Sequence, residues 1–230
     1  MPQPRAARAG RAKIPRMPPA KRKAILLERA AQFFAEHGMS ATTRALAEAC
    51  GVTQRLLYRY FPSKAALLTE VYQQAILAPF KAAWLVRLAD RGLPIGERIN
   101  LFYQDYYRTV LSRQWMRLFL FDGLDGGAMA GAFIDGIVKQ LLDVLVTEAA
   151  AALQVELPAA RDLRHQLGWV LHGAVSHLAI RQHVYGAGQA TPVETVLAMQ
   201  VAAFLDGLPV AADLARAAEA ADIKSSVYDL

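Results

Sequence analysis

One cysteine, Cys50, is all the thiol chemistry this 230-residue chain possesses. A lone thiol makes no intrachain disulfide and no multi-cysteine zinc site, and it fits a reducing compartment. Long apolar runs are missing as well. The most apolar stretches, 118–138 and 169–180, are interrupted by Asp122, Asp125 and Asp135 in the first and by His172 and His177 in the second. A membrane span needs about 18 or more apolar residues in a row, so no membrane partner is expected. No secretory signal is visible among the early residues, and a soluble, cytoplasmic protein is the expectation. Period-two alternation is scarce, which argues against a sheet, and no fixed-period repeat points to a solenoid. Neither a G-x-S-x-G elbow nor a G-x-x-x-x-G-K-[ST] loop occurs, and Gly186-Ala187-Gly188 lies between helices, where it reads as a turn. His165 and His172 share a helix face, but H-x-x-x-H and E-x-x-H spacings are absent, so neither a metal nor a cofactor is expected.

What the chain does have is apolar bulk and an uneven charge. Hydrophobic residues at 54% and charged residues at 20% suffice for a sizeable core and exclude a wholly disordered chain. The net charge of +6 conceals a split: residues 1–64 hold 13 basic and 3 acidic side chains, residues 65–230 hold 13 and 17. A basic head on a mildly acidic body directs attention to an acidic partner for the head. Its first 23 residues carry Arg5, Arg8, Arg11, Lys13, Arg16, Lys21, Arg22 and Lys23 with no acid, together with five prolines. Residues 1–19 read as a disordered basic arm, either a solvated tail or a phosphate contact; Pro15, Pro18 and Pro19 argue against an amphipathic transit helix.

Beyond the arm the pattern is helical throughout. Leu26, Leu27, Ala30, Ala31 and Phe34 form one apolar stripe on a helix of about 20–37, closed by Gly38. Thr42 or Thr43 starts a short helix holding Leu46 and Ala47. Thr53 caps a second over 54–60, and Pro62-Ser63 separates it from a longer helix beginning near Lys64. Two short helices joined by a glycine-containing turn have the form of a helix-turn-helix. Longer helices are expected at 64–89, 95–112, 113–123, 129–154, 159–185 and 192–206, with a further break after Gly207-Leu208-Pro209 and a stretch, 211–221, that reads equally as helix or frayed tail.

On the second short helix, Gln54, Arg55, Tyr58 and Arg59 fall within one arc, while Leu57 and Phe61 fall on another. Guanidinium, amide and phenol groups read base edges or grip phosphates; a merely solvated face is the alternative. Residues from about 24 to 70 resemble the DNA-binding domain of the TetR/AcrR family of bacterial transcriptional regulators. The resemblance lies in Phe33-Phe34-Ala35-Glu36-His37-Gly38, Thr42-Thr43-Arg44, Leu46-Ala47-Glu48-Ala49-Cys50-Gly51-Val52-Thr53, and Leu57-Tyr58-Arg59-Tyr60-Phe61-Pro62-Ser63-Lys64 followed by Leu67-Leu68. It implies that Thr43, Arg44 and Thr53 approach the DNA, that Gln54, Arg55 and Tyr58 face the major groove, and that Tyr60 and Lys64 meet phosphates. Three departures stand out: Arg55 where the family often has glycine, Cys50 where alanine is usual, and a connection from Gly38 to Leu46 one residue shorter than the common pattern.

The implied architecture is all-α. An N-terminal three-helix helix-turn-helix DNA-binding domain (20–64) carries a larger helical ligand-binding and dimerisation domain (65–208) and a C-terminal tail (209–230). Family likeness implies a homodimer through the helices near 159–185 and 192–206, where Leu163, Leu167, Val170, Leu171, Ala174 and Leu178 form one stripe. A second comprises Val193, Val196, Leu197, Gln200, Val201 and Phe204; either stripe also reads as intrachain core. A small apolar or aromatic effector is expected among Trp84, Phe102, Tyr103, Tyr106, Trp115, Phe119, Phe133, Trp169 and His172. The functional expectation is a repressor of a palindromic operator, released by that effector. The alternatives are an activator, a partner-controlled regulator, or a helical enzyme or carrier with an incidental basic head.

Overall fold

A computed structural model describes residues 17–188 and 190–228; the expected basic arm lies, up to residue 16, outside them. The first helix, α1 (Pro19–His37), opens with proline at its first position, where the missing N–H costs nothing. It turns Leu26, Leu27, Ala30, Ala31 and Phe34 inward. Against it pack α2 (Thr43–Ala49), α3 (Gln54–Tyr60) and α4 (Lys64–Val71) through Leu46, Leu57, Phe61 and Leu67, all fully buried. Each of these three helices is started by a hydroxyl. The Thr42, Thr53 and Ser63 side chains accept hydrogen bonds from the backbone N–H groups of Ala45, Leu56 and Ala66 at 3.2, 3.2 and 3.0 Å. Thr42, not Thr43, is therefore the cap of α2. Between α2 and α3 the chain reverses at Gly51, whose φ of +67° is open to glycine and strained for other residues.

The single helix expected over 64–89 is not continuous. After α4 the backbone widens into a π-helical turn, Tyr72–Leu77, and Pro79, which has no N–H to donate, ends it. The chain resumes as α5 (Ala83–Ala89), α6 (Ile95–Thr109) and α7 (Arg113–Leu124). The helix expected over 129–154 is a rod of α8 (Met129–Phe133), a second π-turn (Ile134–Val138) and α9 (Lys139–Leu153). Then follow α10 (Arg161–His183) and α11 (Val193–Tyr228). No strand occurs among the described residues.

The break expected after Gly207-Leu208-Pro209, and with it the C-terminal tail, is replaced by uninterrupted helix. Proline inside a helix costs about 3 kcal/mol through a lost hydrogen bond and a steric clash, and packing on both sides of Pro209 offsets it. Leu208 and Ala212 are buried. Farther along, the Glu219 carboxylate accepts from the Ala159 and Ala160 N–H groups at 3.0 and 2.6 Å, and Arg216 donates to Glu156 at 2.7 Å. By length and composition the stretch Val193–Ala221 is apolar enough to cross a membrane, yet Leu197, Val201, Phe204 and Leu208 pack it into the bundle.

Candidate nucleic-acid interface and ligand cavity

The helix-turn-helix surface is organised around one buried hydroxyl. Thr43, at the first position of α2, is only 7% exposed. The Gln54 side-chain amide on α3 donates to Thr43 Oγ1 at 2.9 Å, and the Tyr58 hydroxyl lies 3.0 Å from the same oxygen. Thr43 is thus a hub that fixes the two α3 side chains one turn apart. Tyr58 keeps 41% of its surface open, and Gln54, Arg55 and Arg59 are exposed beside it. Arg44 is exposed and pairs loosely with Glu48 at 3.7 Å across one helical turn. Thr53 is exposed, with its hydroxyl engaged as a cap. Tyr60 is half-buried; so is Lys64, whose ammonium sits 6.0 Å from the centre of the Phe34 ring. The exposed face carries cations, an amide and a phenol with no carboxylate on α3 itself.

Beneath this surface Cys50 is a small buried side chain in the core of the head. It is enclosed, Arg29 donates to its carbonyl at 3.0 Å, and burial pushes the thiol pKa up, opposed only in part by Arg29.

In the body, a cavity of about 140 Å³ lies between α6, α7, the α8 rod and α10. Of the nine side chains expected at an effector site, Tyr106, Trp115, Phe119, Phe133, Trp169 and His172 line it. Trp84, Phe102 and Tyr103 do not: Trp84 and Phe102 sit under an outer cleft between α5 and α6, and Tyr103 is core behind His172. Trp84 donates to Asp105 at 2.7 Å, and that bond, with the nearby Lys81, holds the Asp105 carboxyl below its ordinary range. Sequence reasoning missed Leu111, Met116, Leu120, Ile134, Val138, Ser176 and Ile180, which complete the cavity wall. Helical spacing offered a signal, since Ser176 and Ile180 lie one and two turns beyond His172.

Trp115 and Phe119 stack with planes within 13° and centres 4.6 Å apart, and Phe133 stands edge-on to both. His172 is buried, its Nδ1 lies 3.3 Å from the Tyr103 hydroxyl, and burial pushes its imidazole pKa down to about 4. The wall is thereby apolar and uncharged.

Cavity and head meet through α7. Trp115, in the cavity wall, also donates its indole N–H to the Ile76 carbonyl of the first π-turn at 3.2 Å. On the other side of α7, Arg117 donates to the Ala35 and Glu36 carbonyls at the end of α1, its guanidinium lying 5.2 Å from the Phe121 ring. Tyr72, at the start of the π-turn, donates to the Met129 carbonyl at 2.8 Å. Arg117 carried no recognisable signal in the sequence, because its partners are backbone carbonyls some 80 residues away.

Comparison with known proteins agrees with this geometry. Residues 26–71 match the family model described as bacterial regulatory proteins, tetR family. No curated protein matches the chain. Among solved structures, a TetR-like transcriptional regulator from Rhodococcus sp. RHA1 is similar at 20% identity, covering 84% of this chain and 100% of its own, with a TM-score of 0.64. A tetR-family regulator from Streptomyces coelicolor is similar at 17% identity over 93% and 100% of the two chains, with a TM-score of 0.54. These likenesses establish the fold, and the match over the head establishes its kind. Residues 26–71 thus form a helix-turn-helix head of the kind found in bacterial regulatory proteins of the tetR family, and the chain as a whole has the fold of TetR-like transcriptional regulators.

Proposed function

We propose that this regulator is a cytoplasmic homodimeric repressor that holds a palindromic operator and releases it when a small aromatic molecule enters the cavity lined by Trp115 and His172. Residues 20–64 serve as the head and the remaining helices as the sensing and pairing body. Gln54, Arg55 and Tyr58 read base edges in the major groove, while Thr43, Arg44, Thr53, Tyr60 and Lys64 hold the head on the backbone.

The observation that carries the reading is the double duty of α7. A side chain in its cavity face, Trp115, is bonded to the π-turn that follows α4, and its opposite face grips the end of α1 through Arg117. A ligand that favours another position of Trp115 also favours another position of the head, which is a population shift between two states. Pairing is supported by the outer faces of α10 and α11. Val170, Met199, Val210 and Leu214 are 59, 64, 65 and 68% exposed there, large apolar side chains of the kind that a second copy covers. Two-fold symmetry then requires matching half-sites about one helical turn or a multiple apart.

The test is an operator binding titration by fluorescence anisotropy. Arg55→Ala and Tyr58→Ala are each expected to weaken operator binding about ten- to a hundredfold, with little change on unrelated DNA. Unchanged operator preference in both variants overturns the assignment of the head's contacts. A ligand that saturates the cavity without lowering operator affinity overturns the release mechanism.

A further inference from the structure

The cavity contains one polar group whose direction is fixed by what lies behind it. His172 is 3% exposed, and its Nδ1 faces the hydroxyl of Tyr103, which is fully buried. That hydroxyl has no second partner among the described residues. If the imidazole donated from Nδ1, the Tyr103 proton would be left without an acceptor inside the core, an arrangement that folded proteins avoid. Tyr103 is therefore the donor and Nδ1 the acceptor. Burial keeps both groups neutral at neutral pH, raising Tyr103 well above its usual value and lowering His172. A neutral imidazole that accepts at Nδ1 carries its hydrogen on Nε2.

Nε2 has no acceptor among the described residues, and the ring forms part of the cavity wall between Trp169 and Tyr106, with centres 5.3 and 5.6 Å away. Ser176, one turn along α10, adds a small hydroxyl, and no charged side chain lines the space. The volume, about 140 Å³, matches the roughly 150 Å³ apolar cavity that accepts a benzene ring. The parallel rings of Trp115 and Phe119 favour a flat molecule.

We infer that the cavity binds a neutral, single-ring aromatic molecule bearing a carbonyl oxygen, which accepts a hydrogen bond from the Nε2–H of His172. This inference rests on the reading of the cavity as the effector site and adds its chemistry. A carboxylate is rejected, because the cavity offers only neutral groups and no cation to a buried charge. A hydrocarbon of the same shape fills the space but leaves the His172 donor unpaired.

The experiment uses the full chain and three probes: acetophenone, its isostere α-methylstyrene, and benzoate, titrated calorimetrically at pH 7.5. Acetophenone is expected to bind about three- to tenfold more tightly than α-methylstyrene, the range of one neutral hydrogen bond, and benzoate not to saturate. His172→Phe is expected to abolish the difference between ketone and hydrocarbon. Should that variant fail to fold, nitrogen-15 spectra of the wild-type histidines supply the same test: the Nε2–H resonance of His172 shifts with acetophenone and stays in place with α-methylstyrene. Equal affinities for ketone and hydrocarbon, preferential binding of benzoate, an unmoved Nε2–H resonance, or no saturable binding by any probe each overturn the inference. Operator release by the same probes separates the two levels. Release by ketone and hydrocarbon alike overturns the inference and leaves the effector reading standing. Binding through His172 without release does the reverse.

Discussion

A single hydroxyl determines how the recognition helix presents itself. One N–H of the Gln54 amide is committed to Thr43, which leaves its carbonyl oxygen and second N–H facing outward, the pair that adenine N6 and N7 require. Thr43→Val retains the buried shape and removes the anchor. We expect operator affinity to fall about three- to tenfold, equivalent to roughly 1 kcal/mol, with an unchanged helical circular dichroism spectrum. His172 supports a second residue-scale prediction. Its folded pKa of about 4 lies below the unfolded value of about 6.5, so the unfolded state takes up the proton first as the pH falls. The stability contributed by the neutral imidazole is complete above about pH 6.5 and is lost toward pH 4, about 3 kcal/mol in all. Urea denaturation of His172→Gln between pH 4.5 and 7.5 should show a flatter pH dependence than wild type, by about that amount. The sequence displayed Thr43 and His172 as chemistry-bearing residues but not their partners, since Tyr58 lies 15 residues from Thr43 and Tyr103 lies 69 from His172.

Helices are legible in a sequence where one face is apolar and the ends carry their own signals. Thr53 and Ser63 announced the starts of α3 and α4, and the stripe from Leu26 to Phe34 announced α1. The π-turns were not legible, because an i→i+5 ladder leaves no distinctive spacing of apolar residues; bonds from Trp115 and Tyr72 hold the first of them. Pro209 misled for the opposite reason, a strong local signal overridden by packing at Leu208, Ala212 and Glu219. The cavity residues were half legible: the aromatics of α6 and α7 marked an apolar wall, but only the crossing of α10 decided which rings face the cavity. That crossing is close. A Cβ at Gly168 on α10 would sit 3.0 Å from Leu142 and 3.1 Å from Val146 on α9. Gly168→Ala is therefore expected to destabilise the body by about 1–3 kcal/mol despite the better helix propensity of alanine. Thermal denaturation should show a lower midpoint, and an unchanged or raised midpoint would mean that the two helices separate without cost.

As a whole molecule, the protein is a basic reading head on a body whose last helices keep large apolar side chains at the surface. Introducing charge there, as Val170→Asp or Leu214→Asp, should abolish the proposed pairing, giving a monomer in sedimentation at micromolar concentration and a lower operator affinity, while the head's spectrum and its weak binding to unrelated DNA persist. A dimer that survives both changes would place the pairing surface elsewhere.

The π-turn at Tyr72–Leu77 has a further consequence, for insertions and deletions. A π-turn holds one residue more than the α-turn that spans the same angle. Loss of one exposed residue there, Gln73 or Gln74, lets the segment relax to ordinary α-helix with head and body still in phase. The same deletion inside α4 has no slack to draw on, and it would turn the head by about 100° and draw it in by about 1.5 Å. The junction between head and body is thus a spare tooth in a ratchet, and the evolutionary record of this protein should tolerate gaps in that turn and in few places beside it.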